Sequence, residues 1–205
     1  MAINLHFTAA QKPTLPQNWM VFEKAFNRKE LDKIEKDLKG VPFQKAHTFA
    51  SKSDHDKEMK QRKSNIKWIP QNDKFAWIYE KLLSYAQQAN NELWNFDIYG
   101  LPEMIQYTEY DAKEKGHYDW HQDIGPEIGS LRKISMTVQL SDEKDYEGGE
   151  LEYYSGGPMD GPFHTVAKGG GTVFTFPSYM LHRVTPVTKG IRKSFVLWLG
   201  GGSYR

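Results

Sequence analysis

Apolar positions recur along this chain at two periods, and the change of period divides it. From Asn27 to about Lys39, Leu31, Ile34 and Leu38 return at spacings of three and four. That spacing predicts a helix, with Asn27 as its cap and Gly40 as its stop. A longer stripe of Phe75, Ile78, Tyr79, Leu82, Leu83 and Ala86 predicts a second helix, capped by Asn72 and running to about Glu92. This helix is expected to buttress the fold rather than carry a site. Residues 1–22, broken by Pro13 and Pro16, are expected to form an extended arm. Phe43–Phe49 and Lys67–Ile69 suit short strands, and the almost wholly polar run Ser51–Ser64 suits a solvated loop.

From Trp94 onward the period shortens. Strand-like runs are Trp94–Tyr99, Met104–Tyr110, His117–Asp123, Ile134–Leu140, Glu150–Tyr154, Thr172–Phe176, Leu181–Val187 and Ser194–Leu199. Glycine clusters at 148–149, 156–157, 169–171 and 200–202 separate many of them. Many short strands with Gly and Pro turns predict a sandwich or jelly roll. Two helices ahead of it predict helices packed on one face. No repeat or linker interrupts the 205 residues, so one domain is expected over 1–205, with helical support at about 20–92 and a β core at about 94–200.

Charge changes the picture little. Lys and Arg total 27 against 26 Asp and Glu, which gives no general pull toward nucleic acid or an acidic membrane. The absence of cysteine excludes disulfides, thiolate catalysis and Cys-type zinc sites. No apolar run approaches ~18 residues and no signal-peptide pattern opens the chain, so a soluble, cytoplasmic protein is expected. Lys57 to Lys63 is expected to be solvated rather than a docking site for an acidic partner. The three glycines at 169–171 lack the following Lys-Ser/Thr of a phosphate loop and predict a turn.

Candidate chemistry centres on Gly116-His117-Tyr118-Asp119-Trp120-His121-Gln122-Asp123. In an extended strand, residues i and i+2 share a face, so His121 and Asp123 would aim an imidazole and a carboxylate at one point. His182 offers a second imidazole far downstream. Two histidines and one carboxylate form a facial triad, which holds Fe(II) on three corners and leaves three open. His117 and Asp119 form a second H-x-D on the same expected face, with His117 expected to flank the entrance. Arg192 lies ten residues beyond His182 and carries a planar fork suited to a carboxylate. On one straight strand ten residues span ~33 Å, too far for one small ligand. A turn is therefore expected at Pro186, Lys189 and Gly190. Trp198 is expected in the core, while Trp120 alternates away from the metal face. His6, His47, His55 and His164 receive no role.

Four blocks in this order resemble the Fe(II)- and 2-oxoglutarate-dependent dioxygenases, in their prolyl 4-hydroxylase-like group, over roughly residues 104–200. The bacterial and phage PKHD-type hydroxylases of that group look closest. The blocks are Gly116–Asp123; Gln139-Leu140-Ser141-Asp142 with Gly148-Gly149-Glu150-Leu151; Gly171-Thr172-Val173-Phe174; and His182, Pro186-Val187, Gly190, Arg192 and Trp198. The resemblance implies a double-stranded β-helix (a jelly roll, cupin-like) buttressed by helices on one face. It implies Fe(II) on His121, Asp123 and His182, 2-oxoglutarate on Arg192, O2 as co-substrate and ascorbate as reductant. Tyr110 is the counterpart of a tyrosine that binds the 5-carboxylate, with Tyr107 as its rival, because the spacing to His121 departs from the common pattern. The resemblance further implies hydroxylation of a prolyl residue in a peptide or protein. A loop near residues 51–64 closes over peptide in some members. Alternatives are the same oxygenase chemistry on another side chain, a free amino acid or a small molecule, a non-catalytic jelly-roll binding module, and a zinc hydrolase using the same three ligands. Both histidines must be neutral to bind, so iron affinity is expected to fall at acid pH. Oligomeric state is left open.

Overall fold

A computed structural model describes residues 18–46, 60–156 and 163–204 of the chain. Helix α1 (Arg28–Asp37) starts where Asn27 predicts it. The Asn27 side chain accepts from the Glu30 amide at 3.1 Å, and the Glu30 carboxylate accepts from the Asn27 amide at 2.7 Å. This reciprocal box satisfies two donors that an open helix end leaves free. Helix α2 (Ala76–Ala89) departs from expectation at both ends. Asn72 is not its cap; the Asn72 carbonyl accepts from the Phe75 and Ala76 amides and closes a turn first. After Asn90 the chain enters a wider helical turn over Asn90–Trp94, which ends at Asn95 with φ 52°. The Asn90 side chain bonds both backbone polar groups of Phe96, which shortens the expected strand at 94–99. Leu83 also leaves the predicted stripe. It lies one residue, about 100° of helix, past buried Leu82 and is 36% exposed.

The strands form two antiparallel sheets. The larger contains β1 (Met20–Phe22), β2 (Gln44–Lys45), β4 (Asn65–Ile69), β5 (Ile98–Gly100), β6 (Ile105–Asp111), β8 (Arg132–Gln139), β9 (Tyr146–Gly148), β12 (Val173–Pro177) and β14 (Val187–Gly201). Its order is β1-β12-β8-β14-β6-β4-β2, with β5 and β9 also paired to β14. The smaller contains β3 (Arg62–Lys63), β7 (His117–His121), β10 (Leu151–Tyr153), β11 (His164–Thr165) and β13 (His182–Val184), in the order β11-β10-β13-β7-β3.

Period-2 alternation separates two cores. Ile134, Met136 and Val138 of β8, with Phe195, Leu197 and Leu199 of β14, pack with Ile34, Leu38, Ile78, Leu82 and Ala86 of the helical side. The opposite face contributes Tyr110, Phe174 and Phe176 to a second cluster with Leu151, Tyr153 and Val184 of the smaller sheet. The intervening polar positions Ser135, Thr137 and Gln139 therefore face that second core. Gly171 is needed between β8 and β12: its φ is +84° and an added Cβ would stand 2.0 Å from the Phe26 carbonyl oxygen. Its own carbonyl accepts from the Phe26 amide, so the predicted glycine turn ties the helical layer to the sheet.

The expected loop over residues 51–64 is corrected where it is described. Arg62 and Ser64 are both 92% buried, because β3 pairs with β7 and carries them inward. Residues 51–59 lie outside the described residues, as do His6, His47, His55 and most of the expected arm. Among the described residues, no helix is long and apolar enough to cross a membrane.

Candidate active site

Strands β7 and β13 pair with His121 directly opposite His182. Their rings stand 4.1 Å apart, centroid to centroid. Asp123 reaches the same point from just beyond the end of β7, where its amide donates to the Ser178 carbonyl at 2.9 Å. The expected strand does not extend that far, so the carboxylate is set by this anchor rather than by simple alternation. The His121 Nε2 and His182 Nε2 atoms each lie 3.7 Å from an Asp123 carboxylate oxygen. One donor atom from each of the three residues falls within 4.8 Å of the others, and all three side chains are buried.

The backbone selects the tautomer of both imidazoles. His121 Nδ1 donates to the Asp119 carbonyl and His182 Nδ1 to the Met180 carbonyl, each at 2.8 Å. A carbonyl only accepts, so Nδ1 carries hydrogen and Nε2 turns a lone pair to the shared point. Burial, then the neighbouring His182, presses the His121 pKa down to about 3. Burial raises the Asp123 carboxyl, but His182, His121, Arg132 and the Ser135 hydrogen bond together hold it below its ordinary value. Ser135 Oγ donates to Asp123 Oδ2 at 2.6 Å. Arg132 donates to the Asp123 carbonyl at 3.1 Å and pairs with Glu103. The donor set, two neutral nitrogens and one carboxylate with no sulfur, fits a divalent transition ion such as Fe(II).

His117 does not face this point. Its two ring nitrogens lie at the Lys115 and Lys60 carbonyls, 2.9 and 2.8 Å away. Asp119 accepts from the Trp120 amide and is exposed. Trp120 packs on Phe163 and beneath Arg183, and His164 stacks on Tyr153. Trp198 is buried under the Arg132 guanidinium.

Arg192 lies on the inner face of β14 and is 4% exposed. Its Nη1 donates to Ser194 Oγ at 3.2 Å, while its buried Nε has no partner. A desolvated, unpaired guanidinium N–H is costly unless a ligand accepts from it. Thr137, Gln139, Tyr146 and Lys168 line a narrow cavity with it. Register places Arg192 opposite Tyr110, so both share a face, and the guanidinium stands 5.6 Å from the Tyr110 ring centre. Tyr107 lies on the helical face and donates to Glu109. From His182 to this cavity run Phe176 and Phe174, in ring-to-ring steps of 4.8 and 4.9 Å. The expected turn between His182 and Arg192 falls at Thr185–Pro186, where the chain passes from the smaller sheet to the larger. Lys189 and Gly190 instead lie inside β14. Gly149 sits beneath the arginine: a Cβ there would meet Arg192 Cδ at 3.1 Å and Val187 Cγ2 at 2.8 Å.

Ser135, Ser178, Tyr146 and Arg62 were not foreseen around this centre. Ser135 alone left a sequence signal, as a polar residue alternating with apolar ones on a buried strand.

Two imidazoles and one carboxylate gathered between antiparallel sheets, with an arginine whose buried Nε lacks a partner farther along the same interior, define a candidate mononuclear metal protein with an anion site. Residues 105–200 match the family model described as the 2OG-Fe(II) oxygenase superfamily. A PKHD-type hydroxylase from Teredinibacter turnerae is 37% identical over 48% of this chain and 45% of its own length. The PKHD-type hydroxylase YbiX of Shigella boydii is 30% identical over 66% of this chain and 61% of its own. The chain thus spans about half to three fifths of these relatives. A prolyl hydroxylase from Trichoplax adhaerens, solved with a hypoxia inducible factor peptide fragment, superposes with TM-score 0.71 at 17% identity, over 90% of this chain and 84% of that one. A Pseudomonas putida prolyl-4-hydroxylase gives 0.65 at 18%, over 89% and 92%. Residues 105–200 are thus similar to the 2OG-Fe(II) oxygenase superfamily, and parts of the chain are similar to PKHD-type hydroxylases, while the prolyl hydroxylase structures share its fold.

Proposed function

We propose that this protein is an Fe(II)- and 2-oxoglutarate-dependent dioxygenase that hydroxylates an unactivated C–H bond, with a prolyl residue of a peptide or protein as substrate and the 4-position as target. The carrying observation is the convergence of His121, Asp123 and His182, with the unpaired Nε of Arg192 two aromatic rings away. His121, Asp123 and His182 would hold the iron. Bound iron supplies O2 activation coupled to decarboxylation of 2-oxoglutarate to succinate and CO2.

The chain's own residues do the positioning. The Asp119 and Met180 carbonyls keep both imidazoles in the binding tautomer. Ser135 fixes the Asp123 carboxylate. Arg192, with Tyr110 on the same face, takes the 5-carboxylate of 2-oxoglutarate. Phe174 and Phe176 form an apolar wall between the two ends, which excludes water from the reacting region. Residues 1–205 act as one domain, and the two sheets with their helical backing form a double-stranded β-helix. A zinc hydrolase would leave Arg192 without an employment, and a non-catalytic binding module has no need of all four of His121, Asp123, His182 and Arg192.

The test is anaerobic Fe(II) loading, followed by O2 and 2-oxoglutarate across a panel of proline-rich peptides. Succinate release and a +16 product are expected. Succinate without any +16 peptide would remove the prolyl assignment and keep the oxygenase; neither product, with iron bound, would remove both.

A further inference from the structure

Arg62 is a buried cation for which the reaction above has no use. It is 8% exposed, on β3 at the edge of the smaller sheet. Its register partner is Tyr118, and its guanidinium stands 4.7 Å from the Tyr118 ring centre. Tyr118 in turn stacks on His121, with ring centres 3.4 Å apart and planes 11° from parallel. Arg62 is therefore one aromatic ring from the candidate iron ligand. Its hydrogen bonds go to neutral acceptors: Nε donates to Ser64 Oγ at 2.8 Å and Nη2 to Gln106 Oε1 at 2.7 Å. Gln106 lies on the same face of β6 as Tyr110, so the guanidinium bridges the two sheets at the interior. Among the described residues no carboxylate pairs with Arg62.

Buried Lys67 and Lys133 donate to the Leu38 and Ser130 carbonyls, and three other cations near the site are paired with carboxylates. Arg132 has Glu103, Lys168 has Glu150 and Arg183 has Glu152. Asp123 and the 1-carboxylate of 2-oxoglutarate would balance Fe(II), and the 5-carboxylate would balance Arg192. Among the described residues, Arg62 then keeps one positive charge that no carboxylate, metal or co-substrate offsets. An unpaired buried charge is strongly unfavourable, and a ligand anion relieves it.

We propose that Arg62 is a specificity residue that receives a carboxylate of the substrate, so that the preferred substrate carries an acidic group next to the carbon that is hydroxylated. This rests on the oxygenase reading above. The carboxylate has two sources, a free C-terminus or an Asp or Glu side chain, and a planar guanidinium fork suits either.

Binding to the iron- and 2-oxoglutarate-loaded protein under argon separates them. One arm compares N-acetylproline with N-acetylprolinamide; the other compares the blocked dipeptide Pro-Glu with blocked Pro-Gln. In at least one arm the acid should bind tenfold or more tightly than its neutral partner. Arg62→Gln should bring that ratio to about one, Arg62→Lys should keep part of it, and 2-oxoglutarate affinity should be unchanged in both. Equal binding of acid and neutral probes by the wild type, or a ratio that survives Arg62→Gln, overturns the proposal. So does weakened 2-oxoglutarate binding in Arg62→Gln, which would assign Arg62 to the co-substrate. A proposal that fails in these ways with succinate release intact falls alone. Failure to bind 2-oxoglutarate at all takes the oxygenase reading and this proposal down together.

Discussion

His121 and His182 oppose each other across paired strands, and each is held by a carbonyl two residues earlier in its own chain segment. The same local device on both strands leaves Nε2 as the free nitrogen of each ring. His182→Ala removes one of the two without touching β7. The variant is expected to fold, to lose bound iron and to release no iron-dependent succinate. Metal analysis after anaerobic loading and desalting reads the first loss, and retention of stoichiometric iron would take His182 out of the ligand set.

Ser135 acts one bond farther out. Its hydroxyl donates to Asp123 Oδ2 and also contacts Ser178 Oγ at 3.0 Å. Ser135→Ala leaves the carboxylate short of one donor in a buried site. Iron affinity should fall about 10- to 100-fold, as is usual when an outer partner of a metal ligand is removed. Competition with a chelator measures it, and an unchanged affinity would show that the Ser178 anchor alone orients Asp123.

The other end of the site is tested by Arg192→Gln. Loss of a charge-assisted bond to a carboxylate should weaken 2-oxoglutarate about 10- to 100-fold, while iron stays bound. Titration of 2-oxoglutarate into iron-loaded protein distinguishes the two effects. Equal loss of both would mean that Arg192 supports the fold rather than the co-substrate.

Much of this centre is legible from residue spacing, and the limits are physical. The H-x-D spacing marks His121 and Asp123, although the Ser178 anchor rather than strand alternation sets the carboxylate; His182 and Arg192 follow from the motif block they share with a known family, and α1 is announced by Asn27. The start of α2 is not, because a backbone turn at Asn72 competes with side-chain capping and leaves no mark in composition. Nor is Arg62, which sits in a run of charge that looks solvated; only the pairing of β3 with β7 carries it inside. The choice between Tyr110 and Tyr107 needs register. The two residues differ by an odd number of positions on β6 and so lie on opposite faces.

Gly149 links backbone conformation to the co-substrate end. Its φ is +62°, and its missing side chain leaves room for Arg192 and Val187. Gly149→Ala should cost about 1–3 kcal/mol through backbone strain, lowering Tm by roughly 2–10 °C. The displaced Arg192 should weaken 2-oxoglutarate binding beyond what the stability loss explains. Thermal unfolding and 2-oxoglutarate titration on the same sample separate the two.

Acid should act on the metal-free protein through His121. Its folded pKa is pushed down to about 3, first by burial, while an unfolded histidine titrates near ~6.5. Between those values the unfolded chain binds a proton that the folded chain refuses. Stability contributed by neutral His121 is therefore present above ~6.5 and is lost as pH falls toward about 3, at up to ~1.4 kcal/mol per pH unit. The same depression means that proton competition at His121 sets in well below the ordinary histidine range, so His121 by itself should not weaken iron binding between pH 8 and 5. Denaturant unfolding of chelator-treated protein from pH 7.5 to 5 should show a steeper fall for wild type than for His121→Gln, which has no proton to refuse. Parallel curves for the two would mean that His121 is not held neutral by its burial.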